Sequence, residues 1–301
     1  MRMNNLNLKL VFAFMVFGIT FTSCDDSNEA DVAAVVEKIT EDDAIALVEA
    51  DDISDEVDNM VDDYIFEDYN ASSRTDVSSK TFGGGNGNGF GGLPDCVTRT
   101  VEEEGDTKTV TLDFGDGCEL PNEHILTGKI ILVYIKDEDT QTVNVTKTFD
   151  GFTFNDVAVE GENTFVRTKA NANGVPESTK IMDVTYTWPD GEFISRVGTK
   201  TREWIEGSET KTWGDNVYLI TGNWKSTFKD GTVRSVTITT ELMRKMACRF
   251  IVSGVMEIEK GDRVGTLDFG DGTCDNVAIF TDVDGVETEI ALKKRFQNKK
   301  D

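Results

Sequence analysis

Two pairs of carboxylates recur at the same spacing in this 301-residue chain: Asp113 with Asp116, and Asp268 with Asp271. Each pair lies inside the heptapeptide TLDFGDG, which runs from Thr111 to Gly117 and again from Thr266 to Gly272. Carboxylates at this spacing could act as calcium ligands, or as the acid and base of a glycan hydrolase. The competing reading is structural, with Asp116-Gly117 and Asp271-Gly272 making turns and Asp113 and Asp268 ending strands. The turn needs fewer conditions. The four aspartates are therefore kept only as candidate metal ligands, no catalytic residue is assigned and no cofactor is expected. Trp188, Trp204, Trp213 and Trp224 could stack sugars, but they fall in strands or beside turns, where core or cross-strand packing explains at least two of them.

Other chemistries lack their parts. His124 is the only histidine, so no histidine-based metal cluster can form within one chain. The Asp-Phe-Gly triplet is similar to the metal-binding triplet of protein kinases, yet that family also needs a glycine loop, a strand lysine and an HRD loop, and His124 sits in EHIL, so the reading fails. A W-x-F-G-D-G signature resembles the motif more closely; it belongs to β-sandwich domains of the polycystic-kidney-disease type. Here Leu112 and Leu267 replace the tryptophan and a cysteine follows at once. The run GGGNGNGFGG, Gly83 to Gly92, has glycine spacings that invite a phosphate-binding reading. Phosphate loops need a strand before and a helix after, whereas this run leads through Leu93-Pro94-Asp95-Cys96 into a strand-like segment, so it reads as a flexible linker.

The cysteines explain the repeat better than the aspartates do. Setting Cys24 aside, Cys96, Cys118, Cys248 and Cys274 remain, and an even count without CxxC favours disulfides in an exported protein. Cys96 lies 22 residues before Cys118 and Cys248 lies 26 before Cys274, with turn sequences near the middle of each interval, Gly105-Asp106-Thr107 and Lys260-Gly261-Asp262. Hairpins folded there bring the cysteines of each pair together, which selects Cys96–Cys118 and Cys248–Cys274 among the three connectivities. A second echo links GFTFNDVAVEGENTF (Gly151 to Phe165) with GDNVYLITGNWKSTF (Gly214 to Phe228).

The elements that carry these residues are strands. Val110, Leu112 and Phe114 alternate; Phe152 and Phe154 begin a strand continuing to Val157 and Val159; Val184, Tyr186 and Trp188 follow, then Val236 and Ile238, then Val286, Ile290 and Leu292. Asp150-Gly151, Asn173-Gly174, Asp190-Gly191, Asp230-Gly231 and Asp284-Gly285 punctuate them as hairpin turns. Lysine and threonine at outward positions predict one wet face. The expected fold is mainly β, an antiparallel meander closed as a sandwich or barrel-like sheet with an internal repeat, preceded by a short acidic helical segment. Residues 96–296 form this β domain, in two related halves of approximately 96–175 and 176–296, and 297–301 are a tail.

Charge is concentrated at the other end. The chain carries a formal net charge of −26, and Asp25 to Asp68 holds eighteen acidic residues against one lysine. Such a field repels nucleic acid. Within it, Ile53, Val57, Met60, Val61 and Tyr64 form one narrow apolar stripe at helical spacing, and Thr40 with Asp43 resembles a capping box opening the preceding segment. The expectation for residues 24–80 is a solvated helical spacer, with a Gly-rich linker at 81–95.

Residues 1–23 read as a signal peptide: Arg2 and Lys9, then the apolar LVFAFMVFGITF, then small polar residues before Cys24. FTSC resembles the lipobox of bacterial lipoproteins, with Phe21 where leucine is usual, and implies lipidation of Cys24. The acidic pair after Cys24 resembles the surface-export signal of Bacteroidota lipoproteins. TVTLDFGDGC and ACRFIVSGVMEIEKGDRVGTLDFGDGTCDNVA make the mature chain similar to uncharacterised secreted lipoproteins of flavobacterial type, with paired DFGxG-Cys β repeats. The resemblance implies location and architecture: an outer-membrane protein, lipid-anchored and exposed at the cell surface. The expected role is non-enzymatic binding or envelope structure, with a glycan or a protein as ligand; the alternative is a glycan-acting hydrolase using the paired carboxylates.

Overall fold

The computed structural model describes residues 38–71, 95–120, 123–137, 142–210 and 212–292, with the backbone alone for 62–71 and 213. Cys24, the signal segment, the tail and nearly all of the Gly-rich linker lie outside the described residues.

The acidic segment is one helix, α1 (Glu41–Ala71). No glycine or proline interrupts it, and Glu41, Asp42 and Asp43 place negative charge in its first turn, where the helix dipole favours it. The predicted capping box is formed: the Thr40 amide donates to Asp43 Oδ2 at 3.0 Å and the Asp43 amide donates to Thr40 Oγ1 at 3.1 Å.

Fourteen strands follow. They are β1 (Thr98–Glu104), β2 (Thr107–Asp113), β3 (Cys118–Glu119), β4 (Ile125–Asp137), β5 (Thr142–Phe154), β6 (Val157–Thr168) and β7 (Glu177–Thr187), then β8 (Phe193–Glu206), β9 (Val217–Phe228), β10 (Val233–Lys245), β11 (Ile251–Lys260), β12 (Arg263–Asp271), β13 (Val277–Thr281) and β14 (Glu287–Ala291). All belong to one antiparallel sheet in sequence order, with β3 set aside against β4. The expected meander is present. The expected closure is not, because β1 and β14 remain opposite edges that do not pair. The reason is visible in β1, TRTVEEE, whose side chains are almost all exposed and whose last three are glutamates. Charge of this kind discourages further pairing at an edge, and the core is completed by the helix.

Turn chemistry corrects one strand. Asn155 and Asp156 both have positive φ, 47° and 66°, and they turn the chain between β5 and β6, so Phe152–Phe154 and Val157–Val159 belong to two strands. Asp150-Gly151, expected as a turn, lies inside β5 opposite the bulge at Gly128. Asn173-Gly174, Asp190-Gly191, Asp230-Gly231 and Asp284-Gly285 are hairpin turns as expected.

Curvature comes from glycine within strands. Gly161 in β6 has φ +113°, and a Cβ there would stand 2.2 Å from the Asp183 carbonyl oxygen on β7; Gly254 in β11 has φ +105°, with Glu241 O at 2.3 Å. Neighbouring strands approach at these points more closely than a side chain allows, which kinks the sheet. One face of the bent sheet carries the core. In the first cluster α1 residues Ala50, Ile53, Val57, Met60 and Val61 pack with residues of β2 to β8. In the second, Ile39, Ala44, Leu47 and Val48 pack mainly with β9 to β14. The helix therefore bridges both. The expected solvated spacer is thereby corrected: of the helix side chains described, only Glu41 and Asp42 are fully exposed. The acidic residues did not keep the helix hydrated, because cations meet them.

Candidate functional site

The cations come from strand alternation. On β5, Lys147 continues the inward row of Val143 and Val145; on β7, Lys180 precedes Met182, Val184 and Tyr186 in the same row. Arg196 and Lys200 follow Ile194 on β8, Arg234 precedes Val236 on β10, and Lys260 follows Ile258 on β11. All six are buried. A lysine or arginine in phase with buried valines and tyrosines cannot reach bulk water, so it must find an anion in the core.

Three helix aspartates supply it. Asp58 accepts hydrogen bonds from Lys147 on Oδ1 and from Lys180 on Oδ2, and Lys180 also donates to Ser54 Oγ at 2.9 Å. Asp51 Oδ1 accepts from Arg196 Nη2 at 2.7 Å and from Lys200 Nζ at 2.5 Å. Asp43 Oδ1 accepts from Arg234 Nη2 at 2.6 Å, with Lys260 Nζ 4.0 Å from its other oxygen. The pairs follow one another in order, from β5 and β7 at Asp58 to β10 and β11 at Asp43, so α1 crosses the strands. At 1.5 Å rise per residue the aspartates stand about 10.5 and 12 Å apart along the helix, close to two to two and a half strand spacings.

Aromatic rings pack beside these cations. Arg196 and Lys200 each lie 4.7 Å from the Trp224 ring, Arg234 lies 4.2 Å from Phe228, and Lys147 lies 5.3 Å from Phe165.

The electrostatics are those of a lock. Burial opposes ionisation of Asp51 and Asp58, but Lys200 and Arg196 at the first, and Lys147 and Lys180 at the second, hold both carboxyls well below the usual carboxylate range. Burial likewise opposes the charge on Lys180, and Asp58 with Asp55 more than offsets it, raising its pKa. Carboxylates held ionised this firmly are poorly matched to proton transfer near neutral pH.

The predicted site residues are elsewhere. Cys96–Cys118 and Cys248–Cys274 are both disulfide-bonded, with Cα atoms 5.5 and 5.3 Å apart. Asp113 ends β2 as expected, and its Oδ1 accepts the Gly115 amide at 2.9 Å. Asp268 does not end a strand but lies inside β12, which runs on to Asp271 past an irregularity in its pairing with β11, and its Oδ1 accepts the Gly270 amide at 2.8 Å. Asp271 Oδ1 accepts from the Thr273 amide at 3.2 Å and from its hydroxyl at 2.7 Å, which lowers its pKa. Asp116 is exposed at the turn after β2. Among the described residues, no group of three or more His, Cys, Asp or Glu side chains is placed to hold a metal ion. Trp188 and Trp224 are buried in the core, while Trp204 is half-buried and packs 5.6 Å from Tyr218. The ring of Trp213 is outside the described side chains. His124 is buried against Phe154, with its Nδ1 2.8 Å from Asn155 Nδ2.

The ion-pair system was missed by reading the aspartates as solvated and the lysines as outward. Its signal was the phase of Lys147, Lys180 and Arg234 with neighbouring valines, set beside Asp51 and Asp58, which lie seven residues apart on one flank of the helix. Among the described residues no helix is long and apolar enough to cross a membrane. Comparisons of the chain with protein-family models, with curated proteins and with solved structures find no match.

Proposed function

We propose that this is a lipid-anchored protein of the cell envelope with a non-enzymatic binding or structural role, tethered through Cys24 and presented at the surface of an outer membrane. The observation that carries the non-enzymatic part is the occupation of the inner face of the sheet. The carboxylates there, Asp43, Asp51 and Asp58, are each committed to basic partners. Asp113, Asp268 and Asp271 each hold a backbone amide two residues further on. A glycan or a protein ligand would be met on the outer surface of the sheet. The anchor rests on the sequence: the apolar run ending at Cys24 and the acidic residues after it.

Two experiments test this. Radiolabelled palmitate should enter the wild-type chain and not the Cys24→Ala variant during expression in a bacterial host that acylates lipoproteins. A glycan array and turnover assays on residues 25–301 should show binding without product. Hydrolysis that survives Asp113→Ala and Asp268→Ala but needs another carboxylate would overturn the non-enzymatic reading.

A further inference from the structure

We infer that the inner face of the sheet is a recognition groove for the acidic helix itself, and that α1 of a second copy of this chain can fill it. Three features point there. The groove is selective: its cations bracket carboxylates at positions 43, 51 and 58, a spacing that α1 carries and that another helix would have to reproduce. The helix is joined to the sheet by 26 residues between Ala71 and Thr98, seven of them glycines in Gly83–Gly92. A connection of that length spans at most about 90 Å. That reach extends beyond one groove, and a connecting segment sets the effective concentration at which its two ends meet. Finally, exchange is nearly balanced in energy. A helix leaving one groove for an identical one breaks and remakes the same buried pairs, while any other occupant leaves cations unpaired. The partner is therefore the same chain, by reciprocal helix exchange.

Complementary variants test this without isolating either part. Asp58→Asn spoils the helix and leaves the groove intact; the double variant K147M/K180M spoils the groove and leaves the helix intact. Each alone holds an unmatched buried charge. When the two are mixed and refolded together, the intact helix of one chain can meet the intact groove of the other, while the two neutral surfaces pair. The expected result is a 1:1 heterodimer by native mass spectrometry, with a urea midpoint above that of either variant alone. The triple variant D58N/K147M/K180M is matched within one chain, so mixing it with either other variant should give neither a favoured heterodimer nor a higher midpoint. If a single variant fails to fold, co-refolding should rescue it, and the same heterodimer should appear. Monomers only, with no gain in midpoint or no rescue, would overturn the proposal, as would a heterodimer that forms equally well between either variant and the triple variant.

Discussion

Asp51 and Arg196 stand 145 residues apart in the sequence and 2.7 Å apart in the fold, and both side chains are buried. That contact fixes the rotation of α1 about its axis and its position along β8 at once. A one-residue slip that brought Ala50 into the place of Asp51 would turn Asp51 away by about 100° and leave Arg196 without its carboxylate. Apolar packing alone would tolerate several such placements, since the helix stripe is made of interchangeable aliphatic side chains. The ion pairs discriminate among them.

Breaking one pair should therefore cost more than removing it whole. Asp58→Ala leaves Lys147 and Lys180 buried without their carboxylate, and should destabilise the fold by about 3–5 kcal/mol in urea titrations. Replacing all three by apolar residues, D58L/K147M/K180M, should bring stability back to the parental value or above it. A triple variant as weak as Asp58→Ala would show that the pairs contribute net stability beyond specificity.

Stability should fall at both ends of the pH scale. Asp51 and Asp58 have folded-state pKa values below their unfolded ones, so their contribution is present above the unfolded value and is lost as pH falls through the folded one. The urea midpoint should decline progressively below about pH 5, and D51N/D58N should flatten that decline. Lys180 and Tyr186 are shifted upward, the tyrosine chiefly by burial and the lysine by its carboxylates against burial. Their contribution is complete below about pH 10 and is lost as pH rises through the raised values. Tyr186→Phe should remove part of that alkaline loss.

Much of this architecture was legible before any coordinates. Alternation in segments such as Val184-x-Tyr186-x-Trp188 reports a local backbone period, and DG pairs report local φ, so strands and most turns could be read residue by residue. The disulfides were legible because a hairpin places its ends together whatever the rest of the fold does. Asp150-Gly151 misled because a bulge and a turn ask the same of glycine. The site was harder. Lys147 pairs with Asp58 across 89 residues, and nothing near either one announces the other. A buried cation is recognisable only by its phase with Val143 and Val145, and a net negative segment hides which of its carboxylates are solvated. Closure was misjudged on a feature that is local: the exposed glutamates that end β1, TRTVEEE, mark an unpaired edge.

The two disulfides should be separable in their effect. Each closes a hairpin, Cys96–Cys118 over 22 residues and Cys248–Cys274 over 26, so each should contribute about 3 kcal/mol through the unfolded chain. Cys96→Ser/Cys118→Ser acts at β1, next to the exposed edge, and hydrogen exchange should rise in β1 and β2 ahead of the rest. Cys248→Ser/Cys274→Ser acts beside buried Phe250 and Val252, and should lower the global midpoint without a separate early phase.

Calcium should leave the repeated motif unmoved. Asp113 and Asp268 each hold an amide two residues on through Oδ1, Asp271 holds Thr273 through Oδ1, and among the described residues no three such side chains converge on a metal position. Millimolar calcium should shift the melting temperature by less than about one degree, and Asp268→Ala should cost roughly 1 kcal/mol through the lost hydrogen bond. A calcium-dependent rise of several degrees, abolished by Asp268→Ala, would assign the motif to a cation after all.

The sharpest test of the bent sheet is a single methyl group. Alanine at Gly161 would place its Cβ 2.2 Å from the Asp183 carbonyl oxygen, and at Gly254 2.3 Å from that of Glu241, both at a φ that L-residues rarely adopt. Neither obstacle is a flexible side chain; the neighbouring backbone itself would have to move, and with it the curve that seats α1. Gly161→Ala and Gly254→Ala should each destabilise by more than about 3 kcal/mol. Gly105→Ala supplies the control, because Gly105 also has positive φ, +58°, but nothing lies within 4 Å of its added Cβ. Only the conformational cost applies there, about 1 kcal/mol. Circular dichroism melts of the three variants should separate them into one mild and two severe cases, and equal losses at all three would remove the close strand approach as the cause of the bend.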